Sequence, residues 1–168
     1  STPGGNSGVT PTHNLVSAYE YIDTPDPVNP YRNRDPRLAA TVVLNGSTWN
    51  DREIDKSAGG SDDMRKTNTS KTGYYLKKFL KDNLNLVQGG TEIHVWAAYR
   101  YAEVLLNYAE AMTQAYGPDA KPAGFTLSAR EALMQVRNSA STQLAPVTAT
   151  DPAAFLAADR GGRAKGIV

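Results

Sequence analysis

Residues 96–116 read WAAYRYAEVLLNYAEAMTQAY, and this stretch decides the fold. It contains no glycine or proline, and Gly117-Pro118 follows at once, which predicts one long helix that ends there. Its polar side chains recur three or four residues apart and form one stripe: Arg100, Glu103, Asn107, Glu110 and Gln114. A helix with one narrow polar stripe is typically buried on most of its circumference. The sequence therefore predicts that other elements surround this helix.

Two further helices are predicted downstream. Ser128 and Glu131 have the spacing of a capping box, which predicts a helix over 128–137. Pro152 directly after Asp151 marks the first turn of another. Three helices joined by short loops are typical of a tetratricopeptide-like unit, which we expect over 96–160. The glycine-rich residues 161–168 are predicted to be a disordered tail.

The first part of the chain, residues 1–95, has a different composition. It holds only 4 alanines, whereas residues 96–168 hold 18. Because alanine is the best helix former, the first part is predicted to be loop-rich, with short helices and strands. Its predicted elements are a helix over 14–21, a strand over 38–44 closed by an Asn45-Gly46 turn, and a polar mobile loop over 57–70. The fold class is therefore mostly α, with both parts in one domain.

Composition excludes several classes of function. With 18 basic and 17 acidic side chains the net charge is +1, which gives no reason to expect a nucleic-acid partner. There is no cysteine, and the only histidines, His13 and His94, lie far apart, so no metal site is expected. No membrane-spanning run, signal peptide, P-loop or nucleophile elbow is present in the sequence. We therefore expect neither an enzyme nor a cofactor.

Two sets of charged residues are interpreted as structural. Glu103 and Glu110 lie two helical turns apart, about 10 Å, which is wider than a catalytic carboxylate pair usually is. Arg34, Asp35 and Arg37 precede the predicted strand. They are expected to lock their loop onto the helical part, through Glu103 or Glu110. The alternative is that their guanidinium and carboxylate groups hold a ligand.

A group of loop residues has the inventory of a sugar site. Sugars lay apolar ring faces on aromatic side chains, while amide and guanidinium groups take their hydroxyls. Trp49 lies in a polar loop with Asn45 and Arg52, and Tyr31 lies in a proline-rich loop. These four residues are the candidate ligand contacts. The alternative for Trp49 is packing against its own loop or the helices.

Four segments, in this order, resemble motifs of the SusD/RagB family. They are PTHNLVSAYE at 11–20, NPYRNRDPRL at 29–38, TGYYLKKF at 72–79 and RYAEVLLNYAEA at 100–111. Family members are several times longer, so the resemblance covers part of their C-terminal half. Where they usually carry a Glu-Arg-Arg cluster, this chain has DRGGRAKG at 159–166.

The resemblance implies a function. SusD/RagB proteins are outer-membrane lipoproteins of Bacteroidetes that bind nutrients at the cell surface. It implies non-catalytic capture of a glycan and its delivery to a TonB-dependent transporter of the SusC type. The lipid anchor is expected in the full-length protein. Two alternatives are a module that docks the transporter without binding ligand, and a protein that captures peptides.

Overall fold

The computed structural model describes residues 8–49, 51–78, 80–81, 88–93, 95, 97–139 and 142–166, the last five by backbone alone. The chain is mostly helical with a few short strands, and it divides into two compact units. The strand unit comprises residues 1–17 and 38–96, and the helical unit comprises 18–37 and 97–168. No helix in the described ranges is long and apolar enough to cross a bilayer.

The strand unit is built from short elements. They are α1 (His13–Ala18), α2 (Arg37–Thr41), β1 (Val42–Val43), β2 (Thr48–Trp49), β3 (Arg52–Glu53) and β4 (Tyr75–Leu76). Strand β1 pairs antiparallel with β4, and β2 pairs antiparallel with β3. The helix expected over 14–21 is thus α1. The Asn45-Gly46 turn is confirmed, with Gly46 at φ 74° in the left-handed region that favours glycine.

The strand predicted over 38–44 is wrong over its first half. Residues 38–41 belong to α2, and only Val42 and Val43 are strand. A short apolar run fits a strand or a buried helix equally well by periodicity. The local signal lies just upstream, where an Asp35 carboxylate oxygen accepts a hydrogen bond from the Arg37 backbone N–H. With Pro36 between them, this is a helix start.

The helical unit contains α3 (Tyr101–Tyr116), α4 (Ala129–Arg137) and α5 (Pro152–Gly166). The capping box at the start of α4 is confirmed: Ser128 accepts from the Glu131 backbone N–H, and Glu131 accepts from that of Ser128. Helix α5 begins as predicted, where Asp151 accepts from the Ala154 N–H. The three helices enclose one apolar core, whose buried members are Leu105, Leu106, Ala109, Met112, Ala129, Ala132, Leu133 and Phe155.

Two expectations about these helices are corrected. Helix α3 begins at Tyr101, because Arg100 is extended at φ −123° and ψ 146°; the predicted start at Trp96 lies outside the described residues. Helix α5 runs through Gly161 and Gly162 to Gly166, where a disordered tail was predicted. Glycine lowers helix propensity by about 1 kcal/mol but, unlike proline, removes no hydrogen bond.

Helix α3 is also less enclosed than its sequence predicts. Its buried residues, Leu105, Leu106, Ala109, Met112 and Thr113, form one stripe facing α4 and α5. A second apolar stripe beside it is exposed and consists of Tyr101, Val104, Ala111 and Ala115. The prediction of burial on most sides is therefore wrong within the described part of the chain, since α4 and α5 cover only one side.

Candidate functional site

Three of the four candidate ligand contacts lie on one hairpin of the strand unit. Trp49 on β2 is directly opposite Arg52 on β3, so both side chains lie on the same face. Asn45 lies in the preceding turn, where its side-chain oxygen accepts from the Lys56 N–H at 2.8 Å. The turn is held by the Gly46 N–H, which donates to the Ile54 carbonyl at 2.8 Å. The hairpin thus places an indole, a guanidinium and an amide close together.

Trp49 is a packing residue in this hairpin. It is only 9% exposed and packs with Val43 and Ile54 in a small core, against which Tyr75 also packs. The Lys77 ammonium lies 5.6 Å from the centre of its ring. Its position among polar residues predicted a solvent-facing indole. The hairpin instead turns Trp49 inward, where its apolar partners are the nearby Val43 and Ile54 and, from β4, the more distant Tyr75.

Arg52 is held by a buried carboxylate that the sequence did not reveal. Its two terminal nitrogens donate to the two Asp62 oxygens, at 2.5 and 3.0 Å. Asp62, whose side chain is fully buried, also accepts from the Tyr75 hydroxyl at 3.0 Å and the Ser61 hydroxyl at 2.6 Å. Burial raises the pKa of Asp62, but the hydrogen bonds from Arg52, Ser61 and Tyr75 outweigh it and hold that pKa well below its usual range.

The segment 57–70, expected to be a mobile loop, is tied down by buried polar side chains. Asp63 accepts from the Gly59 N–H and from Arg65, and Thr69 donates to the Asp63 carbonyl at 2.9 Å. The hydrogen bond from Arg65 is the main cause of the lowered pKa of Asp63. A run with so few apolar residues predicts exposure. Here carboxylates and hydroxyls satisfy the backbone in place of an apolar core.

Tyr31, the fourth candidate contact, belongs to the helical unit. It is half-buried, and its backbone N–H donates to the Asn29 side chain at 3.0 Å. It lies in a loop closed by a backbone bridge between Tyr21 and Arg34. The Arg34 guanidinium donates to the Pro30 and Tyr19 carbonyls and lies over the Tyr21 ring at 4.3 Å.

The charged residues of this loop find partners different from those predicted. Asp35 is buried and forms a forked pair with Arg37, at 2.6 Å for the closest atoms. Asp35 and Arg37 therefore brace their own loop and do not reach Glu103 or Glu110. A carboxylate oxygen of Glu110 is 3.9 Å from Arg160 of α5, and Glu103 is half-buried in the first turn of α3. Arg37 pairs with Asp35 because a spacing of two residues fixes the geometry with little loss of freedom.

Glu20 and Arg137 form one contact between this early segment and the helices. The two terminal guanidinium nitrogens of Arg137 donate to the two Glu20 carboxylate oxygens, at 3.0 and 2.8 Å. Arg137 also donates twice to the Ala145 carbonyl, and its side chain is only 6% exposed. The residues are 117 positions apart, so no local pattern indicates the pair.

The site has no arrangement for metal chemistry in the described residues. No group of three or more histidine, aspartate or glutamate side chains there is placed to hold a metal ion. The Asp62 and Asp63 carboxylates are both occupied by arginines. What the hairpin offers a ligand is the exposed Asn45 amide and the partly exposed Arg52 guanidinium; Lys77, which follows β4, adds a partly exposed ammonium group.

Comparisons with known proteins give the relationship. The model of the SusD family matches residues 1–160. A SusD-like carbohydrate binding protein from Bacteroides fragilis NCTC 9343 is 26% identical with TM-score 0.68; the match covers 92% of this chain and 32% of that one. A SusD-like protein from the same organism is 24% identical with TM-score 0.69, covering 98% and 34%.

The chain thus spans about a third of the length of these solved structures. No curated protein is similar enough to count as a match. The family match over nearly the whole chain agrees with the four motifs, and both solved structures share its mostly helical fold with short strands. The chain belongs to the SusD family.

Proposed function

We propose that this chain is part of a non-catalytic protein that binds a glycan, a polysaccharide or oligosaccharide, at the outer surface of a bacterial outer membrane. The observation that carries the proposal is the family match over residues 1–160, together with 26% identity to a SusD-like carbohydrate binding protein. The captured glycan would pass to a TonB-dependent transporter of the SusC type. A lipid anchor in the full-length protein would hold it at the membrane.

The hairpin of the strand unit is the proposed ligand-contacting surface. Asn45 is exposed and Arg52 is partly exposed, so their amide and guanidinium groups are available to sugar hydroxyls. Trp49 is buried against Val43 and Ile54 and is not proposed as a direct ligand contact. Tyr31, on the helical unit, is proposed as a separate contact.

The experiment is calorimetric titration of the chain with a panel of glycans. Asn45→Ala is expected to weaken binding about tenfold, the effect of losing one or two hydrogen bonds to the ligand. Thr67→Ala, at another exposed position of the strand unit, is the matched control and should leave affinity unchanged. An equal loss in both variants, or no binding of any glycan at millimolar concentration by the unmodified chain, would refute a glycan site here.

A docking function is the second candidate, and one observation favours it. The exposed stripe of α3 carries two large apolar side chains, with Tyr101 70% and Val104 54% exposed. Exposed apolar surface beside a core is typical of a protein-binding face. If the chain docks a SusC-type transporter through this stripe, Val104→Asp should abolish the complex while glycan affinity is retained. The capture of peptides rests on the resemblance alone.

A further inference from the structure

One segment of the strand unit is rich in positive charge. Residues 64–81 contain six lysines and arginines and no aspartate or glutamate. The whole chain, in contrast, is nearly balanced at +1. The excess of positive charge is therefore confined to this segment.

Two arginines of this region form ion pairs with the two buried aspartates. Arg52 pairs with Asp62, and Arg65 pairs with Asp63 at 2.5 Å. Asp55 is exposed and accepts from the Ser57 N–H and hydroxyl. These hydrogen bonds from Ser57 are the largest cause of the lowered pKa of Asp55. Asp55 therefore keeps its negative charge, and the positive charge of Lys66 also favours that ionised form.

The lysine cluster, which we define as Lys56, Lys66, Lys71 and Lys77, bonds to neutral groups. Lys66 donates to the Gly59 carbonyl at 3.2 Å, and Lys71 donates to the Met64 and Lys66 carbonyls at 2.8 and 3.0 Å. Lys56 and Lys77 lie over aromatic rings, those of Tyr74 and Trp49. Within the described residues, no carboxylate is at ion-pair distance from any of these four ammonium groups.

Lys56 shows the cost of this arrangement. Its ammonium lies 4.8 Å from the centre of the Tyr74 ring. It also lies beside Gly73, where a Cβ atom on that residue would be only 3.0 Å from the Lys56 ammonium. Burial lowers the pKa of Lys56, since the charged form loses water. Partly buried charges in proteins are normally paired with an opposite charge. An anion bound beside Lys56 would supply the missing partner.

We propose that the lysine cluster binds the anionic groups of an acidic polysaccharide, either uronic-acid carboxylates or sulfate esters. The proposal rests on the proposed function and adds the class of glycan to it. Lysine suits this role, because its ammonium is a compact charge on a flexible stem and accepts an anion from many directions. Several such charges in one unit match the repeating anions of a polymer better than a single small ion does.

The experiment measures affinity for paired polymers at low and moderate salt. Polygalacturonate and dextran sulfate carry the two kinds of anion, and fully methyl-esterified polygalacturonate and dextran are their neutral counterparts. We expect at least one acidic polymer to bind about tenfold or more tightly than its counterpart, with affinity falling as salt rises. Which acidic polymer binds distinguishes carboxylate from sulfate recognition.

Charge-matched variants locate the effect. Lys66→Gln with Lys71→Gln should reduce the preference for the acidic polymer about tenfold and flatten its salt dependence. Arg32→Gln with Lys121→Gln removes the same charge from the helical unit and should change neither. Equal losses in both double variants would overturn the proposal, because the effect would then come from net charge.

Two other outcomes would also overturn it. Duplex DNA that binds as tightly as the acidic polymer, at equal charge concentration, would show an indiscriminate polyanion surface. Equal binding of acidic and neutral polymers would refute the lysine cluster as a ligand site while leaving glycan binding intact. Binding of no polymer at all would also refute the lysine cluster, whereas the proposed function is refuted only if the glycan panel fails to bind as well.

Discussion

Replacing Trp49 with alanine is expected to destabilise the strand unit rather than merely to remove a contact to a sugar. The side chain is 91% buried, as the complement of its 9% exposure, among Val43, Ile54 and Tyr75. An aromatic of this size buries about 150–250 Å², which at about 25 cal/mol per Å² corresponds to roughly 4–6 kcal/mol. Measured truncations of this kind cost about 3–5 kcal/mol.

The assay is urea unfolding followed by far-ultraviolet circular dichroism, with Trp49→Phe as the control. Phenylalanine retains most of the apolar contact, so its loss should be less than half that of alanine. A loss below about 1 kcal/mol for Trp49→Ala would refute the packing assignment. Weakened glycan binding without any loss of stability would instead establish Trp49 as a ligand contact.

Three more predictions concern the Glu20–Arg137 salt bridge, the buried Asp62 carboxylate and the helical core. Arg137→Ala should lower the free energy of unfolding by about 2–4 kcal/mol and Glu20→Ala by about 1 kcal/mol or less. The reason is that only Arg137 is buried, and that it also donates to the Ala145 carbonyl. Equal losses of the two variants in urea titrations would contradict this. The pKa of Asp62 is lowered in the folded state, so its stabilisation is full above the unfolded pKa of about 3.9 and is lost as pH falls below it; Asp62→Asn should flatten the acid limb of a stability–pH curve, and an unchanged limb would argue against it. Leu106→Ala should cost about 2–5 kcal/mol in thermal or urea unfolding and the exposed Val104→Ala under about 0.5; similar costs for both would show that α3 is peripheral.

Local patterns in the sequence were sufficient to predict where α4 and α5 begin. The Ser128–Glu131 box and the Pro152 start each involve residues within one turn, so their spacing alone specifies the geometry. The Leu38 run failed because apolar periodicity over so few residues does not separate strand from helix.

The candidate site was harder to predict, because its contacts are long-range. Closeness in sequence groups Asn45, Trp49 and Arg52 in one polar loop, and in the structure they lie on one hairpin. The direction in which Trp49 faces depends on Val43 and Tyr75, which come from the other two-stranded sheet. Sequence patterns do not record such contacts between separate segments.

The Glu20–Arg137 pair has a consequence for the order in which the protein is made. At about 5–20 residues per second, a ribosome needs roughly 6–23 s to add the 117 residues that separate the two. During that time the segment 18–37 has emerged while the rest of its own unit, residues 97–168, is still being synthesised. The strand unit, whose last residues come earlier, is complete before Arg137 is added. Glu20 is therefore synthesised early, but its salt bridge forms only after the final third of the chain has been made.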